Sequence, residues 1–358
     1  MQQNVLRTSS PIRLVDLPGG ETSWYEIEIP GVDPDAARGP LVAIARGRED
    51  GPTTYVGAGM HGDELNSIEA VRRVANSLEA GTLAGTVFFV ILQNQTAFES
   101  RARLSPADGK NLDHCFPGSA SGTPSEQLAK VIFDDLVLQA DYLVDLHCAS
   151  RGGWNHLYSI VHADDPEVLD SSISLARSFG CDVILTVEAE PGRPLGDSIG
   201  SALDSNLFIR TALSGRPAAL IEFGGSAVIE ESQVGHGVAG ILNLLRHTGN
   251  LAGPEKTNST SVVSAANAVS ANVAGFLQLE KLSGDHVSAN ETLAFVRTID
   301  GAVHRIESPI GGIILRTAAE GTIAVGDRIA TMAEVPRIAG SEEDLHVLSI
   351  TELESYAT

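Results

Sequence analysis

The sequence predicts an α/β/α sandwich built on a mixed, mainly parallel sheet, followed by an all-β barrel-sandwich module. Three observations carry that expectation. From about residue 41 to 250, apolar β-type runs alternate with helical patterns, as strand–helix–strand units require. The polar, breaker-rich stretch Gly253-Pro254-Glu255-Lys256-Thr257-Asn258-Ser259-Thr260-Ser261 then interrupts the alternation. Beyond it, to about residue 336, only short β-branched runs and turns remain. A chain of 358 residues, 43% of them hydrophobic, can bury two cores. The expected division is an α/β domain over 1–252, a linker over 253–261, a β module over 262–340 and an acidic tail over 341–358.

Taken in order, residues 1 to about 40 are punctuated by Pro and Gly and read as edge strands and an entry loop. Leu41–Ala45, Thr53–Ala58 and Thr86–Leu92 are nearly unbroken apolar runs, the pattern of strands covered on both faces. Asp141–His147 and Ala218–Gly225 are apolar runs carrying isolated polar groups. Helical patterns lie near 65–80, 124–139, 166–179, 196–214 and 233–248. Segment 99–123 is polar and turn-rich, and a loop that long in a compact domain is usually functional. In the last module, Ser308–Leu315 and Val325–Ala330 resemble half of a lipoyl/biotinyl-type barrel-sandwich. Carrier modules need a lysine at the turn before the Ser-Pro strand. Here that turn reads Arg297-Thr298-Ile299-Asp300-Gly301-Ala302, so no lipoate or biotin is expected and the module is read as structural.

Composition excludes several classes of partner. The net charge of −22 argues against nucleic acid and anionic membranes, which call for basic patches. No run of 18 apolar residues and no signal-peptide core is evident, so no membrane span is expected and the cytoplasm is the expected compartment. Three cysteines, Cys115, Cys148 and Cys181, are an odd set without regular spacing, which disfavours a disulfide framework. Homo-oligomers are left open.

The chemistry concentrates at three strand ends. Gly59-Met60-His61-Gly62-Asp63-Glu64 follows a strand and precedes a helix, so His61 and Glu64 can point at one spot. Imidazole nitrogen and carboxylate oxygen suit Zn²⁺, which takes three protein ligands and water in a catalytic site. The bland alternative is a helix start with a stray histidine. His147 closes the strand from Asp141, at the edge where open α/β sheets place their sites; a hydrogen-bonded core histidine is the alternative. Asp145 is a candidate to orient a ring nitrogen. Glu222 interrupts an apolar run, and burial would raise its pKa toward that of a general base; an ion-paired rim glutamate is the alternative.

In consistent order over about residues 40 to 250, Gly-x-His-Gly-x-Glu, the segment running to Arg103-Leu104-Ser105-Pro106, Asn111-Leu112…Phe116-Pro117-Gly118, Asp145-Leu146-His147 and Glu222-x-Gly224-Gly225 resemble the succinylglutamate desuccinylase/aspartoacylase family. The layout is closest to bacterial N-acetyl-diaminobutyrate deacetylase-like members. The resemblance implies a zinc-carboxypeptidase-like fold and one Zn²⁺ per chain on His61, Glu64 and His147. It also implies Glu222 as general acid/base, Arg103 polarising the scissile carbonyl, and a β module behind the catalytic domain. The implied activity is a deacylase hydrolysing the amide bond of a small N-acyl amino acid or N-acyl amine.

Two departures bear on substrate. The family reads Asn-Leu-Asn-Arg, whose Asn-Arg pair grips a carboxylate; this chain reads Asn111-Leu112-Asp113-His114. Histidine offers neither the permanent charge nor the planar two-point contact of arginine. Either the leaving part lacks an α-carboxylate or carries an amine, or Arg101 or Arg193 takes over the clamp while Asp113 pairs with it. The tyrosine that some members supply from the C-terminal domain has no counterpart between Tyr158 and Tyr356. Other readings are a zinc carboxypeptidase acting on peptides, disfavoured by the missing clamp, and a non-catalytic metal-containing binding protein.

Overall fold

The computed structural model describes residues 4–335 apart from 10, 35, 163, 188–204, 258 and 320. Its first part contains β1 (Val5–Thr8), β2 (Glu21–Ile27), β3 (Leu41–Arg46), β4 (Glu49–Gly57), α1 (Leu65–Ser77), β5 (Ala84–Leu92), α2 (Gln95–Glu99) and α3 (Pro124–Asp135). There follow β6 (Tyr142–His147), β7 (Gly153–His162), α4 (Pro166–Phe179), β8 (Val183–Val187), α5 (Leu207–Leu213), β9 (Ala218–Gly225) and α6 (Glu231–His247). The neighbours β5, β4, β6 and β9 run parallel, whereas β2–β3, β3–β5 and β9–β7 are antiparallel. The sheet is therefore mixed with a parallel centre.

Period-2 alternation explains the layering. Ile44, Tyr55 and Phe88 turn to one face and pack with Leu128 and Ile132 of α3 and Phe208 and Ile209 of α5. Val56, Val87 and Phe89 turn to the other and pack with Val71 of α1, Leu175 of α4 and Val238 of α6. With both faces covered, alternate positions must all be apolar, which is why these strands read as continuous runs. Full burial of each such side chain stabilises the fold by about 1.5–3 kcal/mol.

Helix ends follow local chemistry. Asp165 caps α4 by accepting from the backbone N of Glu167 at 2.9 Å and of Val168 at 3.1 Å. Pro166 opens the helix, and Gly180 closes it at φ +108°. The helical pattern expected over 196–214 is α5 in its last part; 196–204 lie outside the described residues. Strands β7 and β8 were not anticipated from sequence.

The remaining strands are β10 (Ser261–Val263), β11 (Ala266–Ser270), β12 (Gly275–Leu279), β13 (His286–Val287), β14 (Thr292–Arg297), β15 (Val303–Glu307), β16 (Gly312–Ala318), β17 (Gly321–Ile323) and β18 (Arg328–Ala333). A separate antiparallel sheet, β15-β14-β12-β17, covers a core of Leu277, Leu293, Val296 and Ile306, which meets Ile314, Ile329 and Met332 from β16 and β18. Strands β16, β18 and β11 continue the long sheet, because β16 pairs antiparallel with β7 through Arg316 and Asn155. Strand β10 lies parallel to β8. Among the described residues, no helix is long and apolar enough to cross a membrane. Cys115, Cys148 and Cys181 are all free thiols.

Candidate active site

The site forms beyond the C-terminal ends of β4, β6 and β9. In register, Gly57 of β4 stands beside Asp145, and His147 stands beside Glu222. The turn after β4 is tight: Gly59 has φ +67°, and a Cβ at Gly62 would fall 2.0 Å from the Ala97 carbonyl oxygen. Only glycine lets the chain pass α2 this closely and return His61 to the rim.

His61, Glu64 and His147 are all buried, and one donor atom from each lies within 4.8 Å of the others. His61 Nδ1 is 2.7 Å from Glu64 Oε1, and His147 Nδ1 is 3.1 Å from Glu64 Oε2. The outer nitrogens are held by acceptors: Asn111 Oδ1 lies 2.9 Å from His61 Nε2, and Asp145 Oδ2 lies 2.9 Å from His147 Nε2. Each acceptor takes an Nε2–H and leaves the Nδ1 lone pair turned toward the Glu64 carboxylate. Lone pairs and carboxylate oxygens cannot face each other at such distances without a proton or a cation between them. The donor set therefore fits a divalent metal of the zinc class.

A buried chain of hydrogen bonds fixes this arrangement. Tyr55 Oη donates to Gln93 Oε1 at 2.8 Å, and Gln93 Nε2 donates to Asp145 Oδ1 at 2.6 Å. Burial would lower the His147 pKa, but the Asp145 and Glu64 carboxylates hold it well above the ordinary imidazole range. Burial would likewise raise Glu64, but the two imidazoles hold it well below the usual carboxylate range.

Glu222 behaves oppositely. Burial pushes its carboxyl up to about 7, with the neighbouring His147 opposing and Glu64 adding to the rise. Asn155 Nδ2 donates to Glu222 Oε2 at 2.6 Å. Arg103 Nη1 donates to Glu64 Oε1 at 3.1 Å and lies 3.2 Å from His61 Nδ1. His61, His147, Glu222 and Arg103 line one cavity of ≈ 110 Å³.

The loop residues divide. Asp113 and His114 line the cavity. However, the Asp113 carboxylate is engaged from α5: Asn206 Nδ2 donates to Oδ2, and the Leu207 backbone N donates to Oδ1 at 3.4 Å. His114 Nε2 lies 3.3 Å from Asn111 Nδ2, and burial pushes its imidazole pKa down. Arg101 is exposed, with φ +53°, and does not line the cavity. Arg193 lies outside the described residues.

Sequence reasoning missed Asn155 and Tyr158 on β7 and Arg316 and Arg328 on β16 and β18, all of which line the same cavity. Tyr158 pairs in register with Glu222, and burial pushes its phenol well up. The available signal was an apolar-flanked run, Trp154 to Val161, interrupted by polar groups.

Comparison with known proteins agrees with this architecture. Residues 50–248 match the family described as the succinylglutamate desuccinylase/aspartoacylase catalytic domain. The N-alpha-acetyl-L-2,4-diaminobutyric acid deacetylase of Halomonas elongata is 28% identical over 312 residues, covering 84% of this chain and 87% of that one. The crystal structure of a succinylglutamate desuccinylase/aspartoacylase from Rhodobacter sphaeroides superposes with TM-score 0.72 at 25% identity, over 84% of this chain and 90% of that one. The product-bound ectoine utilization protein EutE (DoeB) of Ruegeria pomeroyi shares the fold, with TM-score 0.77 at 22% identity over 91% and 98% of the two chains. The chain belongs to the succinylglutamate desuccinylase/aspartoacylase family.

Proposed function

We propose that this protein is a zinc-dependent amidohydrolase that removes the acyl group from a small N-acyl amino acid or N-acyl amine. The observation that carries the reading is the convergence of His61, Glu64 and His147 at a cavity that both histidines share with Glu222, whose carboxyl is raised to about 7. Membership of a deacylase family and the likeness to the Halomonas deacetylase support it. Residues 1–252 would carry the chemistry, and the β module would close the cavity from its side.

When bound to His61, Glu64 and His147, zinc would supply a Lewis acid that acidifies water and polarises a carbonyl. The chain's own groups do the rest. Glu222 Oε2 is held by Asn155, leaving Oε1 to take a proton from the attacking water. A carboxyl raised to about 7 is poised to take that proton and to return it to the leaving nitrogen. Arg103, lying against Glu64, donates to the carbonyl oxygen as negative charge develops there, a contribution of roughly 3–4 kcal/mol for a well-placed donor. Asn111 and Asp145 keep both imidazoles in the tautomer that presents Nδ1.

The test pairs metal analysis with a screen of N-acetyl, N-succinyl and N-formyl compounds bearing neutral, anionic and cationic amines. The expected result is bound zinc and turnover in the native protein, with Glu222→Ala retaining zinc and losing turnover. A zinc-replete native protein inert toward the whole panel would rule the reading out.

A further inference from the structure

The cavity contains a cation that the family motifs leave unexplained. Arg316, on β16, is paired across the strands with Asn155, the residue that holds Glu222. Its guanidinium donates from Nη2 to Ser150 Oγ at 2.9 Å. It also lies over Gly153, where a Cβ would come within 2.5 Å of Nη2. The missing side chain at 153 is what leaves space for the guanidinium. Ser150 engages one of the five N–H donors. Among the described residues, no carboxylate lies within ion-pairing distance of Arg316. Drawing a guanidinium out of water is costly, and here the charge of Glu222, beyond contact distance, offsets only part of the cost.

The loop opposite the family's clamp offers no substitute. Asp113 is tied to Asn206 and Leu207 and carries the wrong charge. Burial pushes the His114 imidazole toward its neutral form. Arg103 leans on Glu64 beside the metal ligands. Arg101 is outside the cavity. Arg316 and Arg328 are thus the cations that the β module brings to the cavity, and Arg316 is the one set across from Asn155, which holds the proposed proton carrier.

We propose that Arg316 receives a carboxylate of the substrate, so that the substrates are N-acyl amino acids rather than N-acyl amines. This rests on the deacylase reading and narrows it. The anion would reach the guanidinium from the β-module side of the cavity, replacing a clamp that residues 113 and 114 do not form. Two parallel N–H···O contacts distinguish arginine from lysine at such a position. The field of a chain with net charge −22 is then overcome locally rather than by overall attraction.

The experiment measures binding apart from turnover. Zinc-loaded Glu222→Gln protein is titrated calorimetrically with Nα-acetyl-L-2,4-diaminobutyrate and with its α-carboxamide, then again in the Glu222→Gln/Arg316→Lys and Glu222→Gln/Arg316→Met backgrounds. The acid is expected to bind roughly 10- to 100-fold more tightly than the carboxamide. Arg316→Met should erase that preference while leaving the affinity for the carboxamide unchanged, and Arg316→Lys should restore part of it. In otherwise native protein, Arg316→Met should raise KM for the acid by roughly the factor by which it weakens binding of the acid. Equal binding of acid and carboxamide, or a preference that survives Arg316→Met, overturns the assignment. A clear carboxylate preference in binding, with no turnover by the native protein, would sink the deacylase reading and uphold Arg316 as an anion site.

Discussion

Replacing Glu222 by glutamine should make the protein inactive and, in alkaline solution, more stable. Burial raises the carboxyl from 4.5 to about 7 in the folded chain. A raised carboxyl favours the fold only while it stays protonated. As pH climbs from about 4.5, the unfolded chain releases the proton first and stability falls; above about 7 both states are ionised and the loss is complete. At about 1.4 kcal/mol per pH unit, the window from 4.5 to about 7 corresponds to roughly 3 kcal/mol. Water entering the cavity reduces this to about 2 kcal/mol. Glutamine keeps the shape and can still meet Asn155, but it cannot ionise. Urea unfolding of chelator-treated protein, followed by Trp24 and Trp154 fluorescence, would give the stability difference between the two proteins. That difference should be small at pH about 4.5 and reach about 2 kcal/mol in favour of glutamine at pH about 8.5. The remaining titrating groups are common to both proteins and cancel. A difference that does not change with pH, or a glutamine variant that is weaker in alkali, would refute the account of Glu222 as a carboxylate strained by burial.

Three further outcomes follow from the same geometry. Activity, as kcat/KM, should fall as pH drops, with an acid limb at or somewhat below about 7, because Glu222 must be ionised to accept a proton and a bound cation favours that form; an acid limb lost in Asp145→Asn but unchanged in Glu222→Asp would misassign the base. His147→Ala should lose both bound zinc and turnover, measured by elemental analysis beside the assay; a metal-replete His147→Ala would contradict the ligand set. Asp145→Asn removes the carboxylate acceptor at 2.9 Å from His147 Nε2 and should weaken zinc affinity by roughly 10- to 100-fold, read by competition with a chelating dye.

How much could be read from the chain alone depended on whether the information was local. Helix α4 was legible to the residue, because Asp165, Pro166 and Gly180 fix both ends within a few positions. The central strands were legible because burial on both faces leaves continuous apolar runs. The clustering of His61, Glu64 and His147 was legible through short motifs at strand ends. Strand β7 was not: Asn155, His156 and Tyr158 break its apolar pattern, and a register shift against β9 falls between Asn155 and Tyr158. Arg316 and Asn155 acquire meaning only when β16 meets β7, a pairing between distant segments that no local pattern encodes. Asp113 shows the same limit. Its place in the loop suggested contact with substrate, yet its strongest partner, Asn206, lies 93 residues further on.

The seam between β7 and β16 also bears on biogenesis. Until β16 leaves the ribosome, the Gly153–Asn155 end of β7 has exposed peptide groups on one side, whereas Tyr158–His162 already pair with β8. A nascent chain could bring His61, Glu64 and His147 together well before the wall that carries Arg316 is in place. The last strands made would thus close the cavity, and the short unpaired end of β7 is a template for wrong pairing in the interval.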